Sequence, residues 1–392
     1  MKKIVLGIVC LLAGALLASG QDMTGILNAI EQNNTTLAAL REQVESDKLS
    51  NRTGISLADP EVEFNYLWGS PGAIGKRNDF SVSQSFDVAS LTGVRRRVAN
   101  GQNMLVDLQY KADRMDILLE AKRLLIELVY CNALRQELKV RLVHAHAIAE
   151  ATQRRLDAGD THVLEYNKAR LNLSTVEGEF SRIEVERAAC LEELKRLNGG
   201  SALSFDATRY PEIYPAADFE QWFAEAEQRN PILEYVRREV EVNRHQVSLA
   251  RAEGFPELSA GYMREKTLGE SYQGVSVGVS IPLWQNRNRV KQARAAVRAT
   301  EARQEDSRQQ FYARLCTLYN RAEGLRRTAD AYRRSLSEAN STALLQKALD
   351  AGEISLLEYL VEMGIYYEIV TDTLDAERDY QLALAELSAV EL

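Results

Sequence analysis

The strongest constraint on this chain is that it is written twice. Asp59-Pro60-Glu61-Val62 matches Phe255-Pro256-Glu257-Leu258 and Tyr66 matches Tyr262, each 196 residues apart, and Leu37 falls on Leu233 at the same spacing. Farther along, Leu156-Asp157-Ala158-Gly159-Asp160 pairs with Leu349-Asp350-Ala351-Gly352-Glu353, and Leu164-Glu165-Tyr166 with Leu357-Glu358-Tyr359, both at a spacing of 193. Each copy reads as a helix, a short strand-like region, a long helix, a glycine turn and a second helix.

Proline marks the organisation. The seven prolines lie at 60, 71, 211, 215, 231, 256 and 282, so 72–210 and 283–392 contain none, and both spans are rich in strong helix formers. Gln102 to Ala158 lacks even a glycine. One unbroken helix of that length would reach about 85 Å. Heptad-like apolar spacing, as at Leu118, Leu125 and Leu128, predicts side-by-side coiled-coil packing.

Between the helices of each copy the apolar period switches to two. Val275, Val277, Val279 and Ile281 alternate with Gly274, Ser276, Gly278 and Ser280, and Leu258, Ala260 and Tyr262 share one side of a weaker partner. In the first copy Val62, Phe64, Tyr66 and Trp68 alternate with Glu61, Glu63 and Asn65, and Phe80, Val82 and Phe86 alternate with serines. Gly69 to Asp79 reads as the hairpin connection. Aromatic Tyr66, Trp68, Tyr262, Tyr272 and Trp284 are expected near strand ends, as in an interfacial girdle. A flap packed on a soluble helical body would also show this alternation. Against it, each segment approaches the roughly 9–11 residues that cross an outer membrane.

Four strands cannot close on themselves in lipid, where each unpaired backbone group costs several kcal/mol. Strands must then be borrowed from copies of the chain. Two copies give eight strands and an interior filled by side chains; three give twelve and a lumen. A trimer is the expectation if the lumen exists for transport.

The N-terminus has a signal-peptide pattern: Lys2-Lys3, an apolar run from Ile4 to Leu17, then Ala18-Ser19-Gly20. Mature protein is expected to begin near Gln21. Val9 is too bulky for the residue before a lipidated Cys10. Cys131, Cys190 and Cys316 are an odd, scattered set, read as helix-packed thiols. With 48 basic against 56 acidic residues there is no reason to expect nucleic-acid binding. His144 and His146 sit two apart on a helix and face different sides, and with His162 and His245 they are read as surface residues. No zinc spacing, phosphate-cradling loop or nucleophile elbow is present, so no cofactor, metal or catalysis is expected. Basic strand-to-helix exits recur: Arg95-Arg96-Arg97 in one copy, Arg287, Arg289 and Lys291 in the other. They read as snorkelling cations or as a solvated first turn.

Taken in order, the duplication, Asn230-Pro231, Phe255-Pro256-Glu257-Leu258, Ser280-Ile281-Pro282-Leu283 and the paired glycine turns resemble the TolC-type outer membrane efflux protein family across the mature chain. The resemblance implies a mainly α fold with a small β part. Long antiparallel coiled-coil helices would form a trimeric periplasmic α-barrel, and four strands per chain would join a 12-stranded transmembrane β-barrel. It also implies a homotrimer in outer-membrane lipid, a periplasmic adaptor at the helical tip and an energy-supplying inner-membrane pump.

The boundaries expected are a signal peptide 1–20, a helix 21–58, a hairpin 59–92, a helical hairpin 93–198 with its tip near 156–166, and a linker 199–215. The second copy follows with a helix 216–254, a hairpin 255–284 and a helical hairpin 285–392 with its tip near 349–359. The resemblance places Glu165 and Glu358 near the closed aperture, where an acid ring would select cations or the acids would be an ordinary solvated face. It makes Leu156, Gly159, Asp160, Leu349, Gly352 and Glu353 the adaptor-contact turns. Lipid-facing positions are Val62, Phe64, Tyr66, Val275, Val277, Val279 and Ile281. The family's aperture-latching arginine falls at Ile354 and a second acid at Val361, so this chain departs from the best-known gate. A resistance-nodulation-division pump exporting heavy-metal cations or drugs is the expected partner. The alternatives are a type I secretion exit and a soluble periplasmic coiled-coil scaffold.

Overall fold

The computed structural model describes residues 22–284, 286–338 and 342–392; the signal-peptide reading and Cys10 lie outside them. In chain order the elements are α1 (Met23–Asn33), α2 (Thr35–Asn51), β1 (Glu61–Trp68), β2 (Lys76–Phe86), α3 (Val88–Leu91), α4 (Val94–Asp157) and α5 (Val163–Leu197). The second copy runs as α6 (Phe219–Arg229), α7 (Pro231–Ala252), β3 (Glu257–Lys266), β4 (Ser271–Ser280), α8 (Arg289–Glu338), α9 (Thr342–Asp350) and α10 (Leu356–Leu387).

The helix expected over 21–58 is two helices, because Asn34 stops one and starts the next. Its Oδ1 accepts from the Leu37 amide at 2.8 Å while its own amide nitrogen donates to the Leu197 carbonyl at 2.8 Å. Asn230 divides 216–254 in the same way, its Oδ1 accepting from the amides of Ile232 and Leu233, with Pro231 in the first turn where a missing N–H costs nothing.

The chain divides into two compact units. The first takes in the residues up to Ala38, Arg114–Glu220 and Leu315–Leu392. Its core joins Ile26 and Ile30 of α1, Leu125, Leu128 and Val129 of α4, Leu194 and Leu197 of α5, and Phe205 from the segment after α5. That segment, expected as a linker, is stitched down. Tyr210 donates to the Ile126 carbonyl at 3.0 Å, and Asn132 donates to the carbonyls of Phe205 and Ala207. Where α8 meets α10, Ala322 packs under Tyr380, Ala383 and Leu384, small against large. Cys131 is buried with Leu138 and Ile183, and Cys131, Cys190 and Cys316 are free thiols among the described residues.

The second unit takes in Ala39–Asp113 and Gln221–Arg314. In it α2 lies along α4 through Arg41–Tyr110 (2.9 Å), Lys48–Asp107 (2.7 Å) and Asn51–Asn103 (3.0 Å). Its repeat partner α7 lies along α8 through Asn243–Thr300 (2.7 Å) and Arg244–Glu301 (2.8 Å). This unit carries the sheet, four antiparallel strands in the order β1-β2-β3-β4. Two hairpins, one per copy, are joined by pairing of β2 with β3, and among the described residues no strand lies beside the outer edges of β1 and β4. The first hairpin loop is shorter than expected. β2 begins at Lys76 rather than after Asp79, because Arg77 and Asp79 lie on one face of the strand in an ion pair of 2.8 Å. Among the described residues no helix is long and apolar enough to cross a membrane.

Candidate membrane-facing sheet and helical turns

Cross-strand register decides which residues share a face, because directly paired residues point to the same side. Val62 pairs with Val82, Val82 with Tyr262, and Tyr262 with Val275, giving one apolar row across all four strands. Parallel rows hold Phe64 with Phe80, Phe86 with Leu258 and Val279, and Ala260 with Val277. In the single chain most of these side chains are exposed, Phe64 by 65%, Val275 by 84% and Val277 by 78%, while Val82 and Phe86 are half-buried. Val62, Tyr66 and Val279 lie on the same face and are also exposed. Ile281 does not join them, because β4 ends at Ser280 and Ile281 lies one residue beyond the ladder, exposed ahead of Pro282.

The opposite face is small and polar. Its rows include Glu61–Ser83–Gly261–Ser276, then Ser85–Ser259–Gly278. Charge is segregated by face. Glu61, Glu63, Asp79, Glu257 and Glu265 all lie on the polar side with Arg77, which pairs with Asp79 at 2.8 Å and Glu265 at 3.1 Å. On the apolar face of the four strands there is no Asp or Glu, and its charged residues are Lys76, Arg264 and Lys266. Apolar spacing alone does not pick these three out; the parity of the strand does.

The aromatic girdle needs correction at two places, Tyr262 and Tyr272. Tyr262 sits in the middle of β3, with its hydroxyl donating to Gln273 at 3.0 Å. Tyr272 falls on the polar face by strand parity. Trp284 lies beyond the end of β4. Tyr66 and Trp68 do mark the loop end, with ring centroids 6.4 Å apart.

Below the sheet the basic exits are partly paired. Arg95 and Arg289 both reach Glu253, at 3.7 and 2.9 Å, and Arg95 also lies 3.5 Å from Asp87, whose carboxylate accepts from the Ser90 amide. Arg96, Arg97, Arg287 and Lys291 remain exposed.

The glycine turns belong to the first unit and are geometrically the same. Gly159 (φ +79°) and Gly352 (φ +73°) occupy the left-handed region, and a Cβ at either would meet nothing within 4 Å. The Asp160 amide donates to the Arg155 carbonyl at 2.8 Å, and the Glu353 amide donates to Ala348 at 2.9 Å. Each is the six-residue bond of a Schellman cap. Gly159, Asp160, Gly352 and Glu353 are exposed, whereas Leu156 and Leu349 are half-buried against their own chain.

Of the two expected aperture acids, Glu358 caps the helix that follows its turn, whereas Glu165 makes no cap bond. Glu358 accepts from the Ser355 amide at 2.7 Å and the Ser355 hydroxyl at 2.8 Å, a complete capping box. The Ser355 backbone bond first, and then its side-chain bond, hold the Glu358 carboxyl below the usual range. Glu165 accepts from the Thr161 hydroxyl, with His162 at the cap position where the second copy has Ser355. Ile354 is half-buried and Val361 exposed, both apolar where a latch would need polar groups.

Arginine 141 was not singled out by sequence, since nothing separates it from the other helical arginines until its neighbours are known. It is 6% exposed, donates to the Tyr367 carbonyl (3.0 Å) and Thr371 hydroxyl (3.2 Å), and lies 4.4 Å from the Tyr367 ring centre. His144 approaches the Tyr367 hydroxyl at 3.3 Å and His146 lies 3.9 Å from Glu177. Among the described residues no three His, Cys, Asp or Glu side chains group as metal ligands.

Residues 222–390 match the outer membrane efflux protein family. The chain resembles an outer membrane efflux protein. Members of that family are channels rather than enzymes, and the match begins in α6 and runs through the second copy to just past the end of α10. The alkaline protease secretion protein AprF of Pseudomonas aeruginosa is 23% identical over 403 residues, covering 92% of this chain and 82% of that protein. The Campylobacter jejuni CmeC outer membrane channel superposes with a TM-score of 0.76 at 14% identity, over 95% of this chain and 85% of CmeC. The outer membrane protein VceC of Vibrio cholerae gives 0.76 at 14%, over 94% of this chain and 95% of VceC. The fold shared with these two structures thus extends over both copies, whereas the family match covers the second.

Proposed function

We propose that three copies of this chain form an outer-membrane exit duct. Each contributes its four strands to a 12-stranded barrel and its long helices to a periplasmic α-barrel. One observation carries the reading: a four-stranded sheet has an exposed, carboxylate-free apolar face and two open edges. In lipid the apolar face costs nothing to expose, but the edges leave backbone donors and acceptors unpaired at several kcal/mol each. Edge-to-edge pairing of copies removes that cost. With the apolar face outward, the serines, glycines and carboxylates of the other face line a wet lumen. Strands of 8 to 11 residues suit an apolar band about 25 Å tall.

The duct is passive. Its energy comes from an inner-membrane pump of the resistance-nodulation-division type, acting through a periplasmic adaptor that meets Gly159-Asp160 and Gly352-Glu353, with drugs or heavy-metal cations as cargo. A second reading, an exit for type I protein secretion, is favoured by the similarity to a relative named for protease secretion. In either reading Glu165 and Glu358 add negative charge beside the turns, and Glu358 also caps its helix.

Two measurements test the proposal. Cell fractionation should recover the mature chain in the outer membrane as a detergent-extracted trimer that conducts ions in a planar bilayer. A tagged chain should then retain a proton-driven drug or cation pump; retaining an ATP-driven protein exporter would favour the second reading. A detergent-free soluble monomer would contradict both and leave the coiled-coil scaffold.

A further inference from the structure

The sheet leaves three cations that the duct itself does not explain. Lys76, Arg264 and Lys266 stand on the apolar face, all exposed, at the end where the hairpin loops join the strands. Lys266 pairs directly with Asn78, Lys76 is two residues further towards the loop on β2, and Arg264 is two residues back on β3. Strand rise and spacing then put neighbouring backbone positions about 7–8 Å apart. None has a carboxylate partner among the described residues, whereas Arg77, one residue from Lys76 on the other face, holds two. Tyr66 and Trp68 flank the group, and the Lys76 ammonium lies 5.8 Å from the Tyr66 ring centre.

A bare cation facing hydrocarbon is costly, and long side chains relieve it by reaching a polar layer. The chain could have neutralised these three with an acid at any other apolar-face position, as it does for Arg77, and it does so at none. We propose that Lys76, Arg264 and Lys266 form a docking surface for the phosphate groups of the phosphorylated glycolipid in the outer leaflet, the lipid A class. Arg264 supplies a planar fork for a phosphate and the two lysines supply point charges. The aromatic pair packs beside the sugar. The inference rests on the outward orientation proposed above, which places the loop end at the outer leaflet.

The test uses the full-length mature trimer in detergent. Its binding to bisphosphoryl lipid A and to the same lipid after enzymatic dephosphorylation is followed by native mass spectrometry. The variants are Lys76→Gln, Arg264→Gln, Lys266→Gln and the triple, alongside Lys76→Arg/Lys266→Arg, which retains charge. Each lost cation should weaken binding of the phosphorylated form about fivefold, and the triple variant about a hundredfold. The arginine variant should bind as the wild type does. The dephosphorylated lipid should bind wild type and triple variant alike. Equal binding of bisphosphoryl lipid A by wild type and triple variant, both trimeric, overturns the inference while leaving the duct intact. A preference for phosphatidylglycerol over bisphosphoryl lipid A that the triple variant loses also overturns it, by moving the surface to the inner leaflet. Absence of the wild type from the outer membrane overturns the duct reading instead.

Discussion

Asn34 and Asn230, 196 residues apart, make the same bond. Each side-chain oxygen accepts from the backbone amide three residues on, at 2.8 Å from Leu37 and 3.0 Å from Leu233. The duplication is therefore preserved at the level of a single helix cap. The two caps differ in what else they do, because Asn34 also donates to the Leu197 carbonyl and ties α2 to the end of α5.

That difference sets a stability ranking. Asn230→Ala removes a cap worth about 1 kcal/mol. Asn34→Ala removes a similar cap and leaves a buried carbonyl unsatisfied, adding roughly 1–3 kcal/mol. Denaturant unfolding of the purified variants should show the larger loss at Asn34, and equal losses would contradict the double role.

Arg141 joins α4 to α10 while almost fully buried. Burial lowers its pKa, although Glu137 and Glu179 oppose the shift, and it stays charged. Arg141→Ala removes one donor from the Tyr367 carbonyl, which keeps the Thr371 hydroxyl at 2.9 Å, and opens a void, costing about 2–5 kcal/mol. Arg141→Met fills the space without burying a charge and should cost clearly less. Thermal unfolding of the two variants separates packing from pairing.

The second turn should be sensitive to pH in one direction only. The Glu358 carboxyl titrates below its usual range in the folded chain, so its contribution is present above the unfolded value near 4.5 and fades as pH falls through the folded value. Glu358→Gln keeps a capping side chain but cannot ionise. Hydrogen exchange of the Ser355 to Tyr359 amides should show wild type losing its advantage over the variant as the pH is taken down from 4.5. An advantage that grows on acidification would contradict the sign.

Gly159 and Gly352 can be tested as turns and as a docking surface separately. Alanine meets no atoms but must adopt a left-handed backbone, at about 1–2 kcal/mol each. Asparagine tolerates that conformation and should cost less. Gly159→Trp combined with Gly352→Glu should abolish export while the trimer persists; wild-type export by that variant would remove the turns from the adaptor interface.

Cys131 is buried, and its hydrogen bond with Cys190, then burial itself, push its thiol well above the usual range. Alkylation at pH 8 should spare Cys131 in the folded protein and modify it promptly in denaturant. Rapid labelling of the native chain would contradict the packing.

Much of this fold can be read from residues because duplication shows each element twice. The valines of β4 announce a strand; β3 is fainter because Arg264 and Lys266 interrupt its apolar face. The start of β2 is hidden because Arg77 and Asp79, which look like loop residues, satisfy each other on the polar side. Asn230-Pro231 signals a helix start, whereas Asn34-Thr35 lacks the proline and is missed. The cap made by Glu358 and the Thr161 bond of Glu165 need three-dimensional partners to be told from an acid ring. The same holds for Arg141, whose role is set by Tyr367 and Thr371, more than 200 residues away.

The central claim is that the open edges of β1 and β4 are completed by sister chains. It is tested by placing Glu63→Cys on β1 and Ser276→Cys on β4, two positions on the same polar face, in a chain whose Cys131, Cys190 and Cys316 are replaced by alanine. Oxidation in intact outer membranes, repeated with Glu61→Cys and Asn65→Cys to sample register, should yield covalent species that stop at three chains. Linkage that stops at two, or none at any register with the protein in the membrane, would contradict the account.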